Sequence, residues 1–148
     1  MTVCFRHVQS YDHLPRDEAT RIVYDDLLPF CQSKGVELSQ YGNLNSYIAH
    51  KDFHNPSHEY YSRFPTRTLL NIERIQQAFY LLPNLVTTAT KYLINSAELA
   101  RIVEVIQGEH LSNGDLIAAM LMRGYTARFA KKGQASQVNA EFKAKRVR

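Results

Sequence analysis

At 148 residues, with 45% hydrophobic and 22% charged side chains, the chain has the length and make-up of one folded domain spanning 1–148, and this composition excludes global disorder. No run approaches the roughly 18 consecutive apolar residues that a bilayer span requires, and the opening residues lack the basic start and apolar run of a secretory signal, so the expectation is a soluble, cytoplasmic protein. The net charge of +4 is unevenly spread: ten Lys/Arg oppose thirteen Asp/Glu from Met1 to Asp115, whereas eight Lys/Arg face Glu141 alone from Leu116 onward.

In chain order, Thr2 to Val8 alternates loosely and reads as a short strand. Asp17 to Ser33 reads as a helix, with Asp17 and Glu18 in its first turn, Ile22, Val23, Leu27 and Phe30 on one side and Gly35 past its end; Pro29 must kink or split it. Asn43 to Lys51 reads as a brief helix. A longer helix is expected from Thr66, as N-cap, to Leu82, because Leu69, Ile72, Ile75, Phe79 and Leu82 recur at steps of three and four. Asn84 to Ile94 is expected to continue helically beyond Pro83. Asn95 then opens a helix in which Glu98 fits a capping box, Leu99, Ile102, Val103 and Ile106 face a core, and Gly108 makes the stop.

Ser112-Asn-Gly-Asp115 repeats the capping-box spacing, and Leu116 to Arg123 is so apolar all round that the helix must be buried, either by its own chain or by a second subunit of a homodimer. After Gly124 the period changes from 3.6 to 2. Tyr125, Ala127 and Phe129 alternate with polar residues, Lys131 to Gln134 makes a turn, and Val138, Ala140, Phe142 and Ala144 alternate with Asn139, Glu141, Lys143 and Lys145. The expected fold is therefore mainly α, of the α+β class: a compact bundle of five to six helices closed by a basic C-terminal hairpin at about 125–146, to which the N-terminal strand can be joined.

That hairpin carries the first functional expectation. Arg123, Arg128, Lys131, Lys132, Lys143, Lys145, Arg146 and Arg148 lie close together in sequence, and cations on one strand face suit the phosphate backbone of DNA or RNA. Helix, turn, buried helix and lysine-tipped hairpin resembles in outline the order of a winged helix. Leu116 to Met122, however, offers almost no polar side chain to a base edge, so backbone contact is favoured over sequence reading. A solvated, charged face would produce the same count.

Two other features stand between Tyr41 and Phe64. Tyr47, Phe53, Tyr60 and Tyr61 would serve as stacking platforms or interface anchors if exposed, and as a second core layer if buried. His50 and His54, four apart, would point the same way on a helical turn, and with His58 they make a candidate divalent-metal set for a hydrolase, although Pro56 puts His58 on a different backbone path. No nucleophile elbow, Walker loop, dinucleotide fingerprint or paired-cysteine motif occurs, so no catalytic residue and no cofactor is assigned. Cys4 and Cys31 read as reduced, packed thiols. The leading expectation is a non-enzymatic nucleic-acid-binding or regulatory protein. The alternatives are a protein-binding inhibitor or adaptor of the size phages and plasmids encode, and the metal-dependent hydrolase.

Overall fold

The computed structural model describes residues 2–5, 14–43, 70–129 and 138–147. Four helices and eight short strands lie among them, an α+β arrangement. The expected brief helix at 43–51 lies outside them except for Asn43, which belongs to a strand.

Helix α1 covers 16–33 in three consecutive pieces, Arg16–Arg21, Ile22–Leu27 and Leu28–Ser33. The middle piece is π-helical. Pro29 has no amide proton and its ring crowds the carbonyl one turn back, so a wider turn just before it lets the helix continue without a break. Ile22, Val23, Leu27 and Cys31 are buried, and the Cys31 thiol is pushed up to about 12 by that burial, which leaves it inert. Gly35, at φ 78°, ends the helix in the left-handed conformation that favours glycine. Strands β2, Leu38–Ser39, and β3, Gly42–Asn43, then form a small hairpin that the sequence pattern did not suggest.

Helix α2, Ile72–Leu85, starts later than expected. Asn71, in extended conformation, is its N-cap and accepts a hydrogen bond from the Arg74 amide at 3.2 Å; Thr66, the expected cap, lies outside the described residues. At the other end Pro83 sits inside the last turn, and the helix runs to Leu85. The helical continuation expected from Asn84 to Ile94 is not found. Strand β4, Val86–Thr88, follows at once, and β5, Ile94–Asn95, completes the segment. Val86, Thr87 and Thr88 are all β-branched, which favours a strand once a partner exists.

The bounds of helix α3, Ser96–Gln107, and helix α4, Asn113–Met122, match the local signals closely, but Ile106, expected to face the core, is 50% exposed. The Asn95 side chain accepts from the amides of Ala97 and Glu98, Gly108 closes α3 at φ 72°, and the Ser112 hydroxyl accepts from the Asp115 amide at 3.0 Å. Every residue from Gly114 to Met122 is buried within the single chain. A second subunit is therefore not needed to cover this helix: α2, α3, the π-helical turn of α1 and the β2–β3 hairpin enclose it. Gly114 marks the tightest approach. A side-chain carbon there would lie 1.6 Å from the Ser39 carbonyl oxygen, and the Gly114 amide donates to the Gln40 carbonyl at 2.9 Å.

The remaining strands close the other side. β1, Thr2–Val3, β6, Ala127–Phe129, β7, Ala140–Phe142, and β5 form an antiparallel sheet in the order β1-β6-β7-β5. The N-terminal strand thus joins the C-terminal pair, with Val3 opposite Ala127 and Ala127 opposite Phe142. Strand β8, Ala144–Arg146, leaves that sheet and pairs with β4 instead. Val3, Ile94, Ala127, Phe129, Ala140, Phe142 and Ala144 are buried beneath the strands.

One buried carboxyl links two helix starts. Asp115, 2% exposed in the first turn of α4, accepts the Asn71 amide at 2.9 Å and so ties the cap of α2 to α4. Burial raises its pKa from 3.8 to about 6, outweighing the lowering by its bonds to Asn71 and Ser112. An acid that holds its proton more tightly when folded destabilises the fold by ionising: the penalty is absent below about pH 4, grows toward pH 6 and is complete above it. Asp115→Asn keeps an acceptor for Asn71 and removes the charge. It is expected to stabilise the protein at pH 7.5 by about 2 kcal/mol in denaturant titration, with the gain vanishing near pH 4; a gain that stays constant with pH would disprove this account.

Candidate nucleic-acid interface

The C-terminal strands owe their shape to one bend. β7 and β8 are consecutive, yet Lys143 between them breaks the ladder: its amide donates to the Thr126 carbonyl on one side, while its carbonyl accepts from the Ala89 amide on the other. Opposite this single residue the partner strand carries five. Thr88 pairs with Ala144 and Ile94 with Phe142, so 89–93 bulge out between β4 and β5.

Tyr92 lies in the bulge and folds back over the outer face of the sheet. The Arg128 guanidinium stands 4.3 Å from the centre of its ring and the Lys143 ammonium 5.3 Å, both within cation–π range. Its hydroxyl is 3.5 Å from that of Thr2. Arg128 is also held by Glu141, directly opposite in register, with Nη2 at 2.9 Å and Nε at 3.3 Å from one carboxylate oxygen. Both side chains are about half exposed, so the pair contributes little to stability. Its effect is on charge: the one carboxylate of the basic segment neutralises Arg128.

Beyond the bend the cations have no carboxylate partner among the described residues. Lys145 and Arg146 are exposed and form no ion pair among the described residues, unlike Arg21 and Arg74, which face Glu18 and Glu109. Thr87 is directly opposite Lys145, and with Val147 these residues line a shallow depression of about 590 Å³ beside β8. A hydroxyl, an ammonium and a guanidinium around one depression are the donor set that a phosphodiester oxygen accepts from. Lys91, exposed in the bulge, adds a further cation with no ion pair among the described residues.

The eight basic residues expected at the interface therefore separate. Arg128, Lys143, Lys145 and Arg146 are brought together along the bent strand and its neighbour. Arg123 is not. It follows α4 and turns toward α2, its Nε donating to the Phe79 carbonyl at 2.7 Å and its guanidinium lying 3.6 Å from the Phe79 ring centre. Desolvation there lowers its pKa. Lys131, Lys132 and Arg148 lie outside the described residues, as do Tyr47, Phe53, Tyr60, Tyr61, His50, His54 and His58. Among the described residues, no three His, Cys, Asp or Glu are placed to hold a metal ion. The enclosed α4 has no side chain to place in a groove. Sequence reasoning missed Thr87, Lys91 and Tyr92; the β-branched run at 86–88 was the available signal that a strand, and so a bulge, begins there.

Compared with protein families, curated proteins and solved structures, the chain matches none. No helix among the described residues is long and apolar enough to cross a membrane.

The placement of Arg123 has a direct consequence. Arg123→Ala is expected to lower unfolding free energy by about 1–3 kcal/mol, through the lost carbonyl bond and ring contact, while leaving affinity for a polyanion such as heparin unchanged. A parallel thermal melt and heparin-column elution check both halves; loss of heparin retention with an unchanged melt would place Arg123 on the binding surface after all.

Proposed function

We propose that the chain is a non-enzymatic nucleic-acid-binding or regulatory protein of the cytoplasm that holds the phosphate backbone of DNA or RNA against the bent strand at 143–146. The observation that carries this reading is the cluster of Lys143, Lys145 and Arg146 beside Thr87, exposed or half-exposed, none with a carboxylate partner among the described residues. Arg128 on Tyr92 extends it, attenuated by Glu141. Backbone contact without base reading fits the chemistry, because cations and a hydroxyl recognise phosphate oxygens and nothing in the cluster presents a planar amide to a base edge.

The alternative, a protein-binding inhibitor or adaptor, draws on a different observation, the apolar flank of α3. The hydrolase alternative rests on His50, His54 and His58, outside the described residues.

Polyelectrolyte theory sets the test. If about three phosphates are neutralised, the logarithm of the association constant falls with the logarithm of salt concentration with a slope near −3. Reversing two charges, in Lys145→Glu with Arg146→Glu, is expected to weaken duplex binding at low salt at least roughly ten-fold and to flatten that slope by about 2. Glu141→Gln, which releases Arg128, is expected to strengthen binding by roughly two- to five-fold. Fluorescence anisotropy with a labelled duplex and a labelled single strand at several salt concentrations measures all three. Affinity indifferent to the double reversal would remove the proposal.

A further inference from the structure

Helix α3 has two apolar flanks, only one of which the described residues cover. Leu99, Ala100 and Val103 are buried toward the sheet and α4, whereas Val105 is 84% exposed, Ile106 50%, and Leu93, just before the helix, 59%. Helical spacing places Ile102, Val105 and Ile106 on one side. Single exposed apolar residues are ordinary, but a contiguous group of them beside a cleft marks an interaction surface.

The cleft lies between α3 and β8. It is about 180 Å³ in volume and is lined by Leu93, Ile94, Glu98, Leu99 and Ile102 together with Lys145 and Arg146. That size falls below the roughly 300–1,000 Å³ of pockets for small organic ligands, and it suits one anchoring side chain of a protein segment laid along it. Charge defines the segment further. Lys145 and Arg146 line the cleft, Arg101 is exposed on α3 next to Ile102, and Glu98 is the one carboxylate among the lining residues. A partner that fits must supply apolar side chains for the floor and carboxylates for the rim.

We propose that the cleft between α3 and β8 docks an acidic amphipathic segment of a partner protein, in the manner of a helix laid in a groove. Because Lys145 and Arg146 also serve the phosphate contact, this proposal rests in part on that reading, and the docked segment competes with nucleic acid for the same two side chains. An acidic segment seated there is a regulator of the neighbouring interface. Its affinity comes from the anchor in the cleft and its orientation from the cations.

The experiment uses the full chain and two fluorescent 14-residue peptides of equal negative charge, one with Leu and Phe at i and i+4 among Asp and Glu, the other with both replaced by Ser. The apolar peptide is expected to bind saturably, at least roughly ten-fold tighter than the Ser peptide, and to displace a labelled duplex. Val105→Asp, at an exposed position away from Lys145 and Arg146, should weaken peptide binding by roughly ten-fold and leave duplex affinity unchanged, whereas Lys145→Glu with Arg146→Glu weakens both. Equal binding of the two peptides, or none, overturns the proposal. So does a concentration-dependent dimer abolished by Val105→Asp, which would make a second copy the occupant, or a preference for phosphatidylserine vesicles over the peptide, which would make it a membrane. Peptide binding retained in a protein that never binds duplex would refute the phosphate reading and leave the docking cleft standing.

Discussion

A helix with no polar face has to be enclosed on every side, and α4 is such a helix. From Gly114 to Met122 every residue is buried, and the described elements around it form its cover: α2 along one side, α3 along another, the π-helical turn of α1, and the β2–β3 hairpin over its start. Each buried Leu, Ile or Met contributes on the order of 1.5–3 kcal/mol to the fold. The polar cost falls at the ends, where Ser112 caps one terminus and Gly124, at φ 87°, turns the chain away from the other. At Gly114 the approach is so close that backbone meets backbone.

That enclosure fixes where charge can lie. With the apolar faces of β5, β6 and β7 turned inward, the alternate residues Arg128 and Glu141 face out and pair with each other. The bend at Lys143 then carries the chain from one sheet to the other, and the five residues opposite it fold Tyr92 back beneath Arg128 and Lys143. The consequence is a graded surface, in which Arg128 is compensated, Lys143 is stacked on a ring and Lys145 and Arg146 have no carboxylate partner among the described residues. The last two also border the apolar cleft against α3, so an electrostatic site and a hydrophobic one share an edge.

Local chemistry made part of this legible in the sequence. Asn95, Ser112, Gly108 and Gly124 act within one helical turn, so capping rules located both ends of α3 and of α4; the unbroken apolar run identified α4 as buried; period-2 alternation found β6 and β7. What depended on distant partners was not legible. Val86 to Thr88 became a strand because β8, nearly sixty residues later, lies beside it, and Tyr92 acquired a role only through that pairing. Arg123 counted as one more cation until Phe79, 44 residues earlier, offered a carbonyl and a ring. Pro29, expected to kink or split its helix, is accommodated after a π-helical turn, and Pro83 sits in the last turn of α2, beyond which a strand follows in place of the expected helical continuation.

Amide chemical-shift mapping on the isotopically labelled protein, titrated at low salt with a short duplex, tests the central claim most directly. The account predicts that shifts concentrate at 87–93 and 143–147 while the amides of α4 stay unperturbed, as befits a helix sealed inside its own chain. Shifts centred on α4, or on the acidic outer side of α1, would contradict it.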